Sequence, residues 1–279
     1  MLLEEQFFRL ISYNILANSY TNPEWYTHVN SEALAWGARR LALTERIKRL
    51  DADVICLQEV EEDAYTLIDF NLRKKGYTGV YAKKGCDKPD GCATFFRHEV
   101  MHLLSNEVVY YSDELHEVSR SGHLAIICSF ASELGVLRII NTHLKWDGEE
   151  KPPECHVGYR QIRELINKYV KADRTTYAWI VCGDLNAQFN SPIVEALINN
   201  LFEDAYKGCE QNTCNPNRRA KRIDYILYTA GLRAIPERLK EIDDLTPLPS
   251  LNEPSDHLPI AATLQVAPGY EQGLRELTD

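Results

Sequence analysis

The chain has 279 residues and a formal net charge of −10. Its length allows one or two domains and a large buried core, while the acidic total argues against a general binder of long duplex DNA, which needs Lys and Arg along the phosphates. No run is long and apolar enough to span a membrane, and residues 1–10, which carry Glu4 and Glu5, lack the basic-then-apolar order of a signal peptide.

In chain order, residues 8–13 read as a strand ending in Asn14. Residues 31–50 read as a helix capped by Asn30 or Ser31, with Trp36, Leu43, Ile47 and Leu50 on one face. A strand over 54–57 ends in Gln58-Glu59. A second helix covers 63–75, with Tyr65, Ile68 and Leu72 inward and Gly76 as its stop. Strands follow at 93–97, 108–111, 124–130 and 136–140, the last leading into Asn141-Thr142-His143. Residues 157–171 form a helix with Ile162, Leu165, Ile166 and Tyr169 inward. The run 179–182 leads into Gly183-Asp184-Leu185-Asn186, and Ser191-Pro192 opens another helix, since proline suits the first turn. Strands at 223–228 and 260–266 complete the set, the latter following Ser255-Asp256-His257. Residues 148–154 and 235–254 are expected to be mobile rim loops, and the polar tail from Pro268 to be peripheral. Pattern alone gives a mixed α and β class.

Of the eight cysteines, Cys56, Cys128 and Cys182 lie within apolar runs. There a free thiol packs as a small hydrophobe, which favours a reducing, cytoplasmic setting. Cys86, Cys92, Cys209 and Cys214 fall in segments read as polar loops, at spacings not distinctive of zinc. Lys83-Lys84 and Arg218-Arg219 with Lys221-Arg222 are basic clusters; the second, just before Asp224, is either a bed for substrate phosphate or a solvated loop.

Five polar motifs thus stand beside apolar runs: Ser12-Tyr13-Asn14, Gln58-Glu59-Val60, Asn141-Thr142-His143, Gly183-Asp184-Leu185-Asn186 and Ser255-Asp256-His257. Carboxylates and amides at the ends of buried strands converge on one rim, which suits hard oxygen ligation of Mg²⁺ or Mn²⁺. That is equipment for metal-assisted phosphate-ester cleavage. A site drawn from Asn14 to Asp256 argues for one domain over 1–279, with its core at about 9–266.

In this order the motifs resemble the endonuclease/exonuclease/phosphatase superfamily. Asp53-Val54-Ile55-Cys56-Leu57-Gln58-Glu59-Val60, Asp90-Gly91-Cys92-Ala93-Thr94-Phe95-Phe96, His143-Leu144-Lys145-Trp146-Asp147 and Ile223-Asp224-Tyr225-Ile226 look like its carbon-catabolite-repressor-type deadenylase branch. That branch includes Nocturnin, Angel and the 2′-phosphodiesterases. The resemblance implies an α/β fold, a DNase I-like four-layer α/β/β/α sandwich of two mixed sheets flanked by helices. It also implies a 3′-to-5′ exoribonuclease that releases 5′-mononucleotides from single-stranded RNA, or that cuts a small nucleotide phosphodiester.

On this resemblance Glu59 is the direct metal ligand, Asn14 supports the same ion directly or through water, and Asp256 adds a metal-side carboxylate. Asp184 orients or deprotonates the attacking water. Asn186 donates to a non-bridging phosphate oxygen, and so does His143 as charge grows. His257 works as acid, base or phosphate ligand, with Asp224 as the carboxylate that fixes its tautomer. Asn141, Arg219 and Arg222 are assigned to substrate. Deadenylases place an adenine-stacking aromatic shortly before their Ile-Asp-Tyr motif; residues 217–222 here contain none, so only modest base preference is expected. With no leucine-rich repeats, a monomer without a protein-partner module is expected. An abasic-site endonuclease, an inositol or lipid phosphatase, and a non-catalytic binding module of the same fold are the alternatives.

Overall fold

Runs such as residues 54–57 and 179–182 are apolar at every position because both faces of their strands are covered. In the computed structural model, which describes residues 7–113, 121–132, 134–148, 151–152, 155–173 and 175–267, those strands are the centres of two six-stranded sheets. The first sheet holds β1 (Phe7–Asn14), β2 (Val54–Glu61), β3 (Tyr77–Lys83), β4 (Asp90–Arg97) and the late strands β11 (Leu232–Pro236) and β12 (Ile260–Val266), in the order β11-β12-β1-β2-β4-β3. The second holds β5 (Leu103–Tyr110), β6 (Leu124–Ser132), β7 (Gly135–His143), β8 (Thr176–Asp184), β9 (Phe202–Asp204) and β10 (Asp224–Thr229), in the order β5-β6-β7-β8-β10-β9.

Alternation sorts the side chains into layers. Leu10, Cys56, Ile139 and Ile180 meet between the sheets. Ile11 and Ile55 point the other way, onto Leu43 and Ile47 of α2 (Trp36–Leu50) and Ile68 of α3 (Glu62–Arg73). Ile140 and Val181 do the same on the second sheet, against Ile162 and Leu165 of the helix at Val157–Leu165 and Val194 of the helix at Pro192–Ile198. Helices, sheet, sheet and helices make the four expected layers.

Several local expectations change. The helix read over 31–50 is two pieces, Ser31–Leu34 and α2, because Ala35 adopts an extended ψ of 110°. Asn30 caps the first piece, its side chain accepting from Glu32 N at 3.0 Å. The helix read over 157–171 stays α-helical to Leu165 and then widens into a π turn over Ile166–Val170. Strands β3, β9 and β11 were not legible. Residues 235–254 are not a free rim loop: residues 235 and 236 belong to β11, and Leu239, Ile242 and Leu248 are buried. Asn215 Nδ2 also holds the Asp243 and Thr246 carbonyls, at 2.9 and 2.7 Å. Of the loop 148–154, residues 149, 150, 153 and 154 lie outside the described residues, as does the tail from Pro268. No disulfide joins cysteines among the described residues, and Cys92 and Cys214 are buried rather than in polar loops. Among the described residues no helix is long and apolar enough to cross a membrane.

Gly183 is where the β7–β8 pairing meets the site. A Cβ there would lie 1.8 Å from the Thr142 carbonyl oxygen, and its φ is +141°. Gly183→Ala must therefore push apart the strands that carry His143 and Asp184. It should cost about 1–3 kcal/mol of stability, whereas Gly37→Ala, at a helical position with open space, should be neutral or stabilising by up to about 1 kcal/mol. Urea midpoints of the two variants check this; equal midpoints would show that the close approach is not binding.

Candidate active site

Strand register assembles most of the site. β7 runs parallel to β8 with His143 opposite Asp184, and β10 runs antiparallel to β8 with Asp224 opposite Asp184. His143, Asp184 and Asp224 thus form a row across three neighbouring strands. In the first sheet β1 and β2 end side by side, Asn14 opposite Gln58. The β2–β4 register shifts between Gln58 and Val60, and Glu59, the extra residue, takes φ +57°. A bulge re-aims a side chain, and here it brings the Glu59 carboxylate to the rim.

Asn14 joins the two sheets. Its Nδ2 donates to Glu59 Oε1 at 2.9 Å and to Asp184 Oδ2 at 3.0 Å, while its Oδ1 accepts from Leu16 N at 3.0 Å. The amide oxygen thus takes one bond from the backbone, and the amide nitrogen orders the two carboxylates. Ser255 Oγ donates to the Asn14 carbonyl at 2.7 Å and accepts from His257 N at 3.1 Å. Buried Arg39 donates to the Leu16 and Pro254 carbonyls at 2.6 and 3.4 Å, clamping the same two loops.

The acids resist ionisation. Burial, then Asp90 and Asp256, push the Glu59 carboxyl up to about 7. Burial pushes Asp184 up to about 6, against the pull of His257. Asp256 Oδ2 accepts from Tyr26 at 2.9 Å, but its Oδ1 is buried with no hydrogen-bond partner. Ligand atoms of Glu59, His143 and Asp184 lie within 4.8 Å of one another. These two reluctant acids with His143, and in the same cleft an Asp256 oxygen without a hydrogen-bond partner, make a donor set that fits a hard divalent cation. Cys214, Asp224 and His257 also cluster, but they do not make a second metal site. Burial pushes the Cys214 thiol well up and its Sγ donates to the Lys221 carbonyl at 3.5 Å, while Asp224 and His257 are spent on each other.

The two histidines have opposite characters. His257 Nδ1 lies 2.9 Å from Asp224 Oδ2, which also accepts from Thr213 Oγ1 at 2.6 Å. Burial opposes its charge, yet Asp224, Asp256 and Asp184 together raise it well above the usual histidine value, and its Nε2 stands 3.7 Å from Asp184 Oδ2. His143 is held neutral, well below its usual value, by burial and then by Lys84. The buried Lys84 ammonium is paired with Asp90 at 2.7 Å and reaches His143 Nδ1 at 3.2 Å. An ammonium offers only donors, as does the Asn186 amide nitrogen, so both ring nitrogens of the neutral imidazole face donors; Nε2 lies 3.6 Å from Asp184 Oδ2. Asn186, in a left-handed conformation at φ +49°, donates from Nδ2 to the Leu144 carbonyl at 2.9 Å and lies 3.0 Å from His143 Nε2.

Glu59, His143, Asp184, Asn186, Asp256, His257 and Arg219 all line one cleft of about 980 Å³. Two residues assigned to substrate from the sequence do not. Asn141 is fully buried: its Nδ2 serves the Leu57 and Ala93 carbonyls at 3.2 and 2.9 Å, and its Oδ1 accepts from Gln58 at 2.8 Å. It shares a strand face with His143 but sits one pleat deeper, between the sheets. Arg222 donates to Asp204 at 2.5 Å and to the Tyr206 and Cys209 carbonyls, with its guanidinium over the Tyr225 ring. It anchors β9 against β10 rather than facing substrate. The sequence reading missed Lys84, Tyr26 and His123, which line the cleft. The Lys83-Lys84 cluster was a signal for the first; Tyr26 and His123 sit in segments without periodicity, and nothing marked them.

Residues 11–257 match the sequence model of the Endonuclease/Exonuclease/phosphatase family, and the chain belongs to that family. Within it, the chain is similar to the CCR4-Not complex 3′-5′-exoribonuclease subunit Ccr4 of Candida glabrata, 26% identical over 321 residues that cover 92% of this chain and 36% of that protein. It is similar also to protein angel homolog 2 of Mus musculus, 32% identical over 200 residues covering 68% of this chain and 37% of that protein. The chain spans only 36% to 41% of the length of the Ccr4 relatives from three yeasts. Its fold matches the structure of ANGEL2, described as a 2′,3′-cyclic phosphatase, in complex with adenosine-2′,3′-vanadate; the TM-score is 0.82 over 95% of this chain and 97% of that one, at 23% identity. The human Nocturnin catalytic domain matches with a TM-score of 0.70 over 95% of each chain, at 24% identity. The expected superfamily, branch and four-layer fold are borne out.

Glu59 and Asp184 keep their protons in the folded state at pH values where an unfolded chain has lost them. The folded state thus binds more protons between about pH 4 and pH 7, and metal-free stability must fall as pH rises through that window. Asp184→Asn should remove its share, making the metal-free variant more stable than the parent at about pH 7.5 by about 1–3 kcal/mol, with a smaller gain at about pH 5. Melting curves in chelator at the two pH values read the effect, and a gain independent of pH would refute the assignment.

Proposed function

We propose that the chain is a divalent-metal-dependent phosphodiesterase, a 3′-to-5′ exoribonuclease acting on single-stranded RNA or on a small nucleotide phosphodiester. The partnerless Asp256 Oδ1 in one cleft with Glu59 and Asp184, and with a neutral and a charged histidine, carries the reading. The name 3′-5′-exoribonuclease borne by the Ccr4 relatives supports it, as does the adenosine vanadate held by a structure of the same fold. We place the protein in the reducing cytoplasm, on the strength of the buried thiols of Cys56, Cys92, Cys128, Cys182 and Cys214.

Mg²⁺ or Mn²⁺ held by Glu59, Asp256 and Asp184 would supply Lewis-acid stabilisation of phosphate charge. The chain's own residues do the rest. Asp184 takes a proton from the attacking water. The new oxygen–phosphorus bond forms as the bond to the 3′-oxygen breaks. His143 and the Asn186 amide donate to non-bridging oxygens, where negative charge grows. His257, kept protonated by Asp224, gives its Nε2 proton to the departing oxygen. The products are a shortened strand with a 3′-hydroxyl and a 5′-mononucleotide. Exposed Arg219, with Lys88, Lys145 and Lys221 on the cleft walls, offsets the acidic total where phosphates enter.

The test is a panel of 5′-labelled A, U and mixed-sequence oligoribonucleotides beside an abasic-site duplex, an inositol phosphate and a strand ending in a 2′,3′-cyclic phosphate. Ladders shortening from the 3′ end, abolished by excess chelator and restored by Mg²⁺ or Mn²⁺, are expected. Asp184→Asn should lower kcat by about 10²–10⁴-fold. Cleavage of the abasic duplex or the inositol phosphate alone would overturn the reading.

His257 acts as a donor, so activity must fall as pH rises through its value. Asp224→Asn removes a charge that raises that value, and the alkaline limb of the pH–rate profile should move to lower pH. An unmoved alkaline limb would mean that the pair does not deliver the leaving-group proton.

A further inference from the structure

Two cavities meet at Trp146. Beside the catalytic cleft opens a second cavity of about 250 Å³, and Trp146, Asn186, Lys221 and Ile223 line both. Trp146 is 58% exposed and lines both cavities. Its backbone is fixed on either side: Lys145 N donates to Gln161 Oε1 at 2.9 Å, and Asp147 Oδ2 accepts from Val157 N at 2.7 Å. The backbone that carries the indole is therefore anchored on both sides, three residues beyond His143.

The second cavity has a distinct chemistry. Trp146 forms one wall, buried Ile193 contributes an apolar surface, and the exposed Gln188 amide offers both a donor and an acceptor at the margin. The Asp147 carboxylate also lines it, paired with Lys145 and Lys151 at 3.2 and 2.8 Å. Flat apolar faces with a polar hydrogen-bonding edge are the properties of a nucleobase. Asn186, 3.0 Å from His143 Nε2, stands on the wall shared with the cleft, so a base in this cavity belongs to a nucleotide whose phosphate lies in the cleft.

We propose that the cavity beside Trp146 is a nucleobase subsite, in which one base of the strand stacks on the indole and meets Gln188 with its edge. The proposal rests on the phosphodiesterase reading above and deepens it. It supplies a stacking surface that residues 217–222, with no aromatic side chain, do not provide.

The test couples the indole to the base. Oligoribonucleotides with an abasic ribose at the last or the next-to-last position are compared with the parent strand, using wild type, Trp146→Ala and Trp146→Phe. Base–aromatic stacking predicts a loss of about 5- to 100-fold in kcat/KM when either partner is removed. At one of the two positions the losses should fail to multiply, so that Trp146→Ala no longer distinguishes base from abasic ribose, while Trp146→Phe retains most of the preference. A scaffolding role for Trp146 would lower activity on all strands alike. Losses that multiply at both positions, with wild type cutting RNA normally, would overturn the subsite alone. A wild-type protein that leaves every strand intact would overturn the phosphodiesterase reading and the subsite with it.

Discussion

The site depends on one side-chain amide. Asn14 gives its two amide protons to Glu59 and Asp184, carboxylates from different sheets. Two acids brought so close in a buried place repel each other when ionised, and desolvation penalises each charge. The amide offsets part of that cost and fixes the spacing between the sheets at their rim. Glu59 and Asn186 hold left-handed backbone conformations in the same few ångströms. Non-glycine residues adopt that region at a cost of order 1–3 kcal/mol, which the surrounding structure must sustain. The rim is thus a place where stability is given up, and the apolar layers beneath it make that tolerable.

His143 and His257 are chemically the same residue and carry opposite charge because of what stands behind them. Asp224, fixed by Thr213, keeps His257 protonated. Burial, and then Lys84 fixed by Asp90, keep His143 neutral. Environments that push two titratable groups apart allow acid and base work at one pH. The bulge at Glu59, the row of His143, Asp184 and Asp224, and the clamp by Arg39 make these assignments geometric consequences of strand register.

Polar residues in strand-end motifs do not all face solvent. Asn141 satisfies Leu57 and Ala93 carbonyls beside the Glu59 bulge, where the ladder is broken. A buried carbonyl without a donor costs about 1–3 kcal/mol, so Asn141 is needed by the fold that presents His143. Arg222 is similar: its guanidinium ties a short edge strand to β10, and Arg219, three residues earlier, is left to face the cleft.

The sequence by itself determined the strands flanking the rim and the residues at their ends. Apolar runs covered on both faces, followed by Asn14, Glu59, His143, Asp184 or Asp224, are local signals that survive without knowledge of partners. It also determined the family, because five motifs in order constrain each other. Tertiary structure decided what local pattern does not encode. Asn141 and His143 share the face of β7 between the sheets, and depth along the strand, one pleat, separates their roles. The edge strands β3, β9 and β11 are short or polar and become strands only by pairing. Lys84, Tyr26 and Trp146 acquire their roles from neighbours far away in sequence, such as Asp256, 230 residues from Tyr26. Charge state followed the same rule, since burial and neighbouring charge, and not residue type, made one histidine neutral and the other an acid.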